Sequence, residues 1–473
     1  MSEGNPAVGR SRRAAFARWL FQPVDVASLA AFRVAFGLIM LWEAERFLAS
    51  DWIAAYYIEP EFHFTYYGFG WVRPWPGAGM YWHFALLGLL AAMIAAGALY
   101  RVAMPLFAVG FAYVFLLDQA RYLNHFYLII LLATLMSVLP LNRAAAVDAW
   151  ARPRSRAATL PAWTLFALRA QMEVVYVYAG LVKLNPDWLR LEPMRTWLHR
   201  TDLPLAGPWL AEEWVVALAT YGAIAVHLVG GPLLLFRRTR AWAFVAYVAF
   251  HLGSAMLFGI GVFPWLSIAA TTLFFDPAWP RKLAARLAGR PLESRAGHAA
   301  TSPARRPVVV AGLGAWFLVQ LLVPLRHVLY PGNVSWTEEG HRFAWQMLLR
   351  QKDCEGYFDV RDPATGRTWR LVPGSYLTRR QKAKMLARPD MVLQFAHHLA
   401  ARWARERQVA DAEVRGVVSC SLNGRPPSLL VDPERDLARV RRSLAPADWI
   451  VPLGARPVSR PAPPAGNGDD RGE

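Results

Sequence analysis

The sequence predicts a polytopic α-helical membrane protein with about nine transmembrane helices and a C-terminal extracytoplasmic α+β domain rich in β-hairpins. Hydrophobic residues make up 55% of the 473 positions and charged residues only 18%, whereas soluble domains carry about 25% charged residues. The apolar residues are concentrated in separate runs before residue 326, and the remainder is polar. This composition excludes a disordered chain, collagen and a small disulfide scaffold, and it argues against an ordinary soluble enzyme.

The apolar runs are the first element of this prediction. A bilayer-spanning helix takes about 20 mostly apolar residues. The runs cover 27–48, 82–99, 104–118, 125–141, 162–184, 214–236, 241–258, 263–275 and 307–325. A single short run would indicate a buried core helix instead, but nine runs in a chain with so few charges favour membrane spans.

The distribution of basic residues predicts the orientation. With a cytoplasmic N-terminus and nine crossings, the inner segments hold 19 Lys and Arg residues and the outer segments hold 5, as the positive-inside rule requires. Inner loops facing anionic lipid account for the net charge of +18, so we expect membrane lipids and no nucleic acid as partners. The protein is expected to be a multi-pass protein of the plasma (inner) membrane, as a monomer or small homo-oligomer.

The predicted domains follow from this topology. They are a cytoplasmic tail at 1–26, a transmembrane helical domain at 27–325, an extracytoplasmic β-rich domain at 326–453 and a disordered tail at 454–473.

Two hairpins and a helical stretch are predicted in the outer domain. One hairpin covers 354–374 with its turn at 363–366, and another covers 413–431 with its turn at Asn423-Gly424. Residues 378–407 are expected to form one or two helices. Cys354 and Cys420 can pair if the compartment is oxidising, and otherwise remain two free thiols.

A polar stripe marks the segment 162–184. At 3.6 residues per turn, one face of this helix presents Arg169, Glu173, Tyr176, Gly180 and Lys183. Two interpretations remain open. Arg169 pairs with Glu173 and Lys183 extends outward to water, or Lys183 is a desolvated amine that acts as a base near neutral pH.

Other polar residues at the spans are candidates as well. His125 follows Asn124 at the outer end of a span, where a helix-end histidine without catalytic function is the alternative. His251 lies within an apolar run, where an imidazole needs a partner. The segment 259–265 interrupts an apolar run, and it either forms a slot for a flat ring or lipid tail or is a simple turn. No histidine pair has metal-ligand spacing with an acidic partner, so we predict no metal.

The segment AGLVKLNPDWL (179–189) resembles the signature of the vitamin K-dependent γ-glutamyl carboxylase family. Further similar segments follow in the family's order across roughly residues 20–400: PVDVASLAAFRVAFG (23–37), YVFLLD (113–118), NHFYL (124–128), LRAQ (168–171), FH (250–251), DPAWPRKL (276–283), SWTEEGHRFAWQML (335–348) and PGSYLTRRQ (373–381).

The resemblance implies an enzyme with two coupled reactions. Vitamin K hydroquinone, or menaquinol, is oxidised with O₂ to the 2,3-epoxide, and the strong base formed in that step removes the γ-proton of a glutamate. The resulting carbanion adds CO₂. The hydroquinone is expected to arrive from the lipid, and the glutamate-containing protein or peptide from the outer aqueous side.

The resemblance also implies roles for individual residues. Lys183 matches the base that deprotonates the hydroquinone, and His125 matches the histidine near the carbanion and CO₂ step. The residues expected on the glutamate side are Asn124, Trp345, Arg350 and His341. Those expected on the cofactor side are His251, Phe263, Met347 and Arg169.

Departures from the family pattern define two alternatives. Val182 stands where animal members have a first lysine, Glu173 stands at an apolar position, and Lys352 takes an arginine position. One alternative is a quinol epoxidase or oxidase without peptide carboxylation. The other is a non-enzymatic quinone- or lipid-binding membrane protein.

Overall fold

A computed structural model of the chain describes residues 15–201, 207–292 and 300–458. The predicted tail at 454–473 therefore lies mostly outside the described residues, as does the start of the predicted tail at 1–26. The longer helices of the N-terminal part are α1 (Ala27–Ala49), α2 (Gly79–Ala96), α3 (Tyr100–Leu117), α4 (Asn124–Val138), α5 (Ala162–Leu181), α6 (Glu213–Leu235), α7 (Arg240–Phe258), α8 (Phe263–Phe274) and α9 (Pro303–Leu329).

Six of these helices are long and apolar enough to cross a membrane, namely α1, α2, α3, α6, α7 and α9. The protein is therefore a polytopic membrane protein, but nine transmembrane helices are not confirmed. Helix α4 has only 15 residues, α8 is also short, and α5 carries the polar stripe. The number of crossings and the domain boundaries remain predictions.

A short ribbon aligns the beginnings of α1 and α5. Strand β1 (Pro23–Asp25) pairs antiparallel with β2 (Thr159–Pro161), and each strand leads within two residues into its helix. Helix α1 then packs closely on α2, where a Cβ on Gly37 would lie 2.4 Å from the backbone nitrogen of Ala95. Only glycine permits this approach, because a larger residue would overlap the α2 backbone.

The C-terminal part is an α+β domain. Its four-stranded antiparallel sheet has the order β4-β3-β5-β6. The strands and helices are β3 (Lys352–Arg361), β4 (Thr368–Leu371), α10 (Arg379–Leu386), α11 (Pro389–Glu406), β5 (Glu413–Leu422) and β6 (Ser428–Leu429). The two predicted hairpins are present, β3 with β4 and β5 with β6.

The two cysteines are joined across the centre of this sheet. Cys354 on β3 is the direct partner of Cys420 on β5, and their sulfurs form a disulfide of 2.06 Å. The structure thus resolves the question that the sequence left open in favour of a disulfide.

Short helices complete the described part of the chain. They are Ala54–Ile58, Gln119–Arg121, Val147–Ala151, Pro153–Ser155, Pro186–Leu189, Met194–His199, Gly207–Leu210, Trp279–Leu287, Val334–Thr337, Pro373–Ser375 and Leu437–Arg439.

Buried polar contacts hold the α+β domain against the helices. Gln381 on α10 donates to a carboxylate oxygen of Asp118 at 3.0 Å, at the end of α3. Gln394 on α11 donates to the side-chain oxygen of Gln119 at 3.1 Å. Both contacts are buried. Each therefore satisfies side-chain groups that water would hydrate if the α+β domain and the helices were separate. The α+β domain therefore covers the end of the bundle where α3 ends and α4 begins.

Candidate active site

Helix α5 delivers Lys183 to the end of the bundle that the α+β domain covers. Lys183 is 3% exposed, and its Nζ donates to the carbonyl oxygen of Ala179 at 2.7 Å. The same nitrogen lies 5.3 Å from the ring centroid of Trp188. Among the described residues, no carboxylate lies within ion-pairing distance of this amine. Lys183 therefore does not extend outward to water, which was one of the two interpretations.

The turn after Lys183 is fixed by its own sequence and by the α+β domain. Asn185 accepts the backbone N–H groups of Asp187 and Trp188, both at 3.1 Å, and so caps the short helix that Pro186 begins. Asp187 in turn accepts from Asn423 at 2.7 Å and pairs with Arg425. The LNPDW motif thus holds Trp188 over the amine.

A π-helical turn in α6 packs against α5 just before Lys183. The turn covers Val226–Gly230 and contains the buried His227, whose Nδ1 lies 2.6 Å from the carbonyl oxygen of Ala223. A Cβ on Gly180 would lie 2.6 Å from the Leu228 side chain, which would have to move. Single π-turns occur frequently at functional sites.

An aromatic wall joins three of the predicted residues. The Phe263 ring stacks on His125 with centroids 5.7 Å apart, and it contacts His251 edge-on at 5.6 Å. His251 is 1% exposed, and neither of its ring nitrogens has a hydrogen-bond partner in the part of the chain that the structure describes. A buried imidazole without partners marks a place where a polar ligand group or a water would be stabilised.

A loop of the α+β domain lies on the beginning of α4. The rings of Trp345 and Phe343 pack on Tyr127 at 5.2 and 5.0 Å. The Asn124 amide points to the carbonyl oxygen of Gln346 at 3.5 Å. Asn124 and Trp345, both predicted for the glutamate side, therefore lie where this loop meets the beginning of α4.

The same loop contains strained backbone. Glu338, Phe343, Trp345 and Leu348 have φ values of 63°, 64°, 54° and 50°. Non-glycine residues adopt this left-handed region only where tertiary contacts hold them, and they concentrate at active sites. Met347 packs partly buried against the helical core.

Arg350 and His341 lie together in a second group, the Glu338 cluster. Its members are Glu338, His341, Arg350, Lys352, Lys384 and Arg388. Arg350 binds both carboxylate oxygens of Glu338, one of them at 2.6 Å, and His341 Nε2 lies 3.1 Å from Arg350. Lys352 contacts the same carboxylate at 3.0 Å. The Arg350 guanidinium, which is expected on the glutamate side, thus already binds a carboxylate of the chain itself.

Cations outnumber the single carboxylate of this cluster. Burial alone would raise the pKa of Glu338, but Arg350 and Lys352 outweigh it and hold that pKa well below its usual value. Burial lowers the pKa of Lys352 to about 8. Arg388, together with burial, lowers the pKa of Lys384 to about 7. The cluster is therefore held together by Glu338, and Lys384 is repelled by its neighbours.

Replacing Lys384 with methionine should stabilise the folded protein at pH 7. Because the pKa of Lys384 is about 7 when folded and 10.5 ordinarily, the unfolded state binds more protons between these values. The contribution of Lys384 to the free energy of unfolding therefore increases as pH rises through that range. Thermal unfolding of wild type and Lys384→Met should be measured from pH 6 to 10. The difference between their melting temperatures should become smaller as pH rises. Lys382→Met, on the same helix, is the control, and parallel curves for wild type and Lys384→Met would contradict the prediction.

Arg169 lies near the opposite end of α5. Its guanidinium donates to the carbonyl oxygens of Leu273 at 2.7 Å and Phe275 at 2.8 Å. These contacts, and not a pair with Glu173, satisfy Arg169. One carboxylate oxygen of Glu173 is buried without a hydrogen-bond partner. The separation of Arg169 from Lys183 along the helix is about 20 Å, so the structure does not bring Arg169 to the amine.

Trp188, Glu338 and Arg388 were not singled out from the sequence. Trp188 lies within the LNPDW motif, and its proximity to Lys183 could have been expected from the Asn-Pro cap. Glu338 and Arg388 approach each other only through the tertiary fold. The described residues contain no group of three His, Cys, Asp or Glu side chains placed to hold a metal ion.

Two family models match the chain. The HTTM domain matches residues 21–279, which include Lys183, His125, His251 and Phe263. The model described as "Vitamin K-dependent gamma-carboxylase, lumenal domain" matches residues 305–456, which include Trp345 and the Glu338 cluster. No solved structure matches the chain.

Proposed function

Because this chain belongs to the vitamin K-dependent gamma-glutamyl carboxylase family, we propose that Lys183 deprotonates a lipid-borne vitamin K hydroquinone or menaquinol. The quinol is oxidised with O₂ to the 2,3-epoxide, and this reaction drives the addition of CO₂ to a glutamate of a protein or peptide. The observation that carries the proposal is the buried amine of Lys183, which has a carbonyl and an indole as neighbours and no ion-paired carboxylate among the described residues. Burial away from water disfavours the charged form of an amine.

We propose that the quinol ring binds at the aromatic wall. Phe263 offers a flat apolar face between two imidazoles. The unpartnered nitrogens of His251 offer a donor or acceptor for a quinol oxygen. Met347, on the loop above, supplies adaptable apolar surface. A ring bound here would reach the site from the lipid, between the helices.

The glutamate side is proposed at the beginning of α4. Asn124 and His125 occupy the first turn of that helix, and the loop with Trp345 closes over them. Asn124 would orient the glutamate, and His125 would act near the carbanion and CO₂. Exclusion of water by this loop would protect a strong base from quenching.

A second candidate, quinol epoxidation without peptide carboxylation, is favoured by one specific contact. The Arg350 guanidinium is engaged by the Glu338 carboxylate. A substrate carboxylate would have to displace this buried ion pair, and breaking such pairs is costly. The chain would then oxidise the quinol while releasing no carboxylated peptide.

A paired assay separates these functions. The purified full chain is given reduced vitamin K or menaquinol, O₂, labelled bicarbonate and a glutamate-containing peptide. Epoxide together with labelled peptide supports the carboxylase, and epoxide alone supports the second candidate. Binding of the quinol without either product would support a non-enzymatic quinone-binding protein and would overturn both proposals.

Replacing His125 with alanine should lower peptide carboxylation by about 100-fold, the lower end for loss of an acid–base group. Epoxide formation should fall by less, because Lys183 is retained. His199→Ala is the matched control, since His199 is exposed and its ring contacts the carbonyl oxygen of Ala211. An equal loss of both products would contradict the role proposed for His125.

A further inference from the structure

A cavity of about 750 Å³ opens where α1 begins. We call it the alanine slot, because most of its lining residues are alanines. The lining includes Ala30, Ala31 and Val34 on α1, and three arginines, Arg143, Arg156 and Arg281. It lies between the start of α1, the segment that joins α4 to α5, and the Trp279–Leu287 helix.

The slot is at the opposite end of the bundle from Lys183. It adjoins the β1–β2 ribbon, from which α1 and α5 begin, whereas Lys183 follows the end of α5. Likewise the loop of the α+β domain covers the beginning of α4, and the slot is lined by residues after its end. The slot is therefore separate from the proposed active site.

The rim of the slot is basic. Arg143 donates to the carbonyl oxygen of Ser155 at 2.9 Å, and Arg156 donates to that of Ala149 at 2.8 Å. A guanidinium has five N–H donors, so one carbonyl contact leaves capacity for an anion. Arg281 pairs with Asp25 at 2.5 Å, and Asp25 is the acid in the lining. The exposed Arg152 and Arg154 lie on the same segment as Arg143 and Arg156.

Exposed apolar side chains at this rim are typical of a surface that faces lipid. On the Trp279–Leu287 helix, Leu283 and Leu287 are 48% and 81% exposed, and Trp150 on the adjoining segment is 75% exposed. The two leucines are one turn apart on a helix that also carries Arg281, Lys282 and Arg286. Basic amphipathic helices of this kind lie in the interface between headgroups and acyl chains, and tryptophan is enriched there.

From these contacts we propose that the alanine slot binds one anionic phospholipid. Arg143 and Arg156 hold the phosphate, with Arg281 positioned beside them by Asp25. An acyl chain lies along the wall formed by Ala30, Ala31 and Val34, where the short side chains leave room for it. Basic pockets between transmembrane helices are typical sites for anionic headgroups. This inference does not depend on the proposed reaction.

Lipid retention by the full chain tests the proposal. The protein is reconstituted in mixed phosphatidylglycerol and phosphatidylcholine, extracted, and examined by native mass spectrometry. Wild type should retain phosphatidylglycerol in preference to phosphatidylcholine. The double variant Arg143→Gln/Arg156→Gln should bind it about 25-fold more weakly, at roughly fivefold per basic residue. The control Arg237→Gln/Arg238→Gln removes the same charge from an exposed loop outside the slot and should differ from wild type by less than twofold.

A second variant tests the acyl chain separately from the charge. Ala31→Phe fills the wall but leaves every arginine, and it should also lose phosphatidylglycerol. Equal retention by Ala31→Phe and wild type would overturn the proposal, as would equal effects of the two arginine double variants. Displacement of the lipid by soluble glycerol phosphate at similar concentration would indicate a free phosphate site and would overturn it as well.

Discussion

Replacing Lys183 with alanine should lower the rate of epoxide formation by about 100- to 10,000-fold, the range for loss of a positioned general base. The reason is that the amine is buried, donates to the Ala179 carbonyl and lies over the Trp188 ring. Carboxylation should fall to the same extent, because it depends on the base formed during quinol oxidation. Epoxide measured by chromatography in single-turnover reactions reports the step directly.

Lys183→Arg separates a base from a structural cation. Arginine retains the positive charge and can still lie over the indole of Trp188, but it stays protonated. A structural cation would tolerate this change, whereas a base would not. Lys282→Ala is the control, since this lysine is exposed and pairs only at the surface with Asp276. Full epoxide formation by Lys183→Arg would remove Lys183 as the base.

Replacing Glu338 with glutamine should destabilise the folded protein by about 3–5 kcal/mol, the usual cost of removing one partner from a buried ion pair. The Glu338 side chain is 2% exposed and binds both Arg350 and Lys352. Without its charge, these cations stay buried and repel each other. Thermal unfolding of the full chain, followed by tryptophan fluorescence, should detect the loss, because Lys352 lies 5.6 Å from the ring of Trp336.

Two further variants and the pH dependence of stability test this prediction. Glu434→Gln removes an exposed partner of Arg415 and should cost less than about 1 kcal/mol. Adding Arg350→Met to Glu338→Gln should restore part of the stability, because it removes an unpaired cation. Since the pKa of Glu338 is held below its usual 4.5, its contribution is present above that pH and is lost as pH falls further. Equal unfolding of Glu338→Gln and Glu434→Gln would contradict the role of Glu338.

Patterns within short stretches of sequence predicted much of the structure. The turn residues at 363–366 and at Asn423-Gly424 indicated both hairpins, because glycine at positive φ is a local requirement. The ordered motifs around Lys183 and His125 identified the family. The polar stripe of α5 followed from helical periodicity, although it did not show which residues would satisfy Arg169.

Contacts between distant segments could not be predicted in the same way. Arg169 is satisfied by carbonyl groups more than 100 residues later, and backbone carbonyls carry no signal in a sequence. Arg350 looked available for a substrate because its partner, Glu338, belongs to no periodic pattern. The left-handed backbone at Phe343 and Trp345 is imposed by packing on Tyr127, against the preference of both residues. Helices α4 and α8 are too short to be identified as spans by length, so these two predicted crossings are not confirmed.

The packing of Phe343 and Trp345 on Tyr127 makes the two matched parts of the chain interdependent. A fragment cut after α9 would retain Lys183, but it would lack the loop with Phe343 and Trp345 that packs on the first turn of α4. A chimera that exchanges whole domains between relatives must therefore take this loop and the first turn of α4 from the same relative.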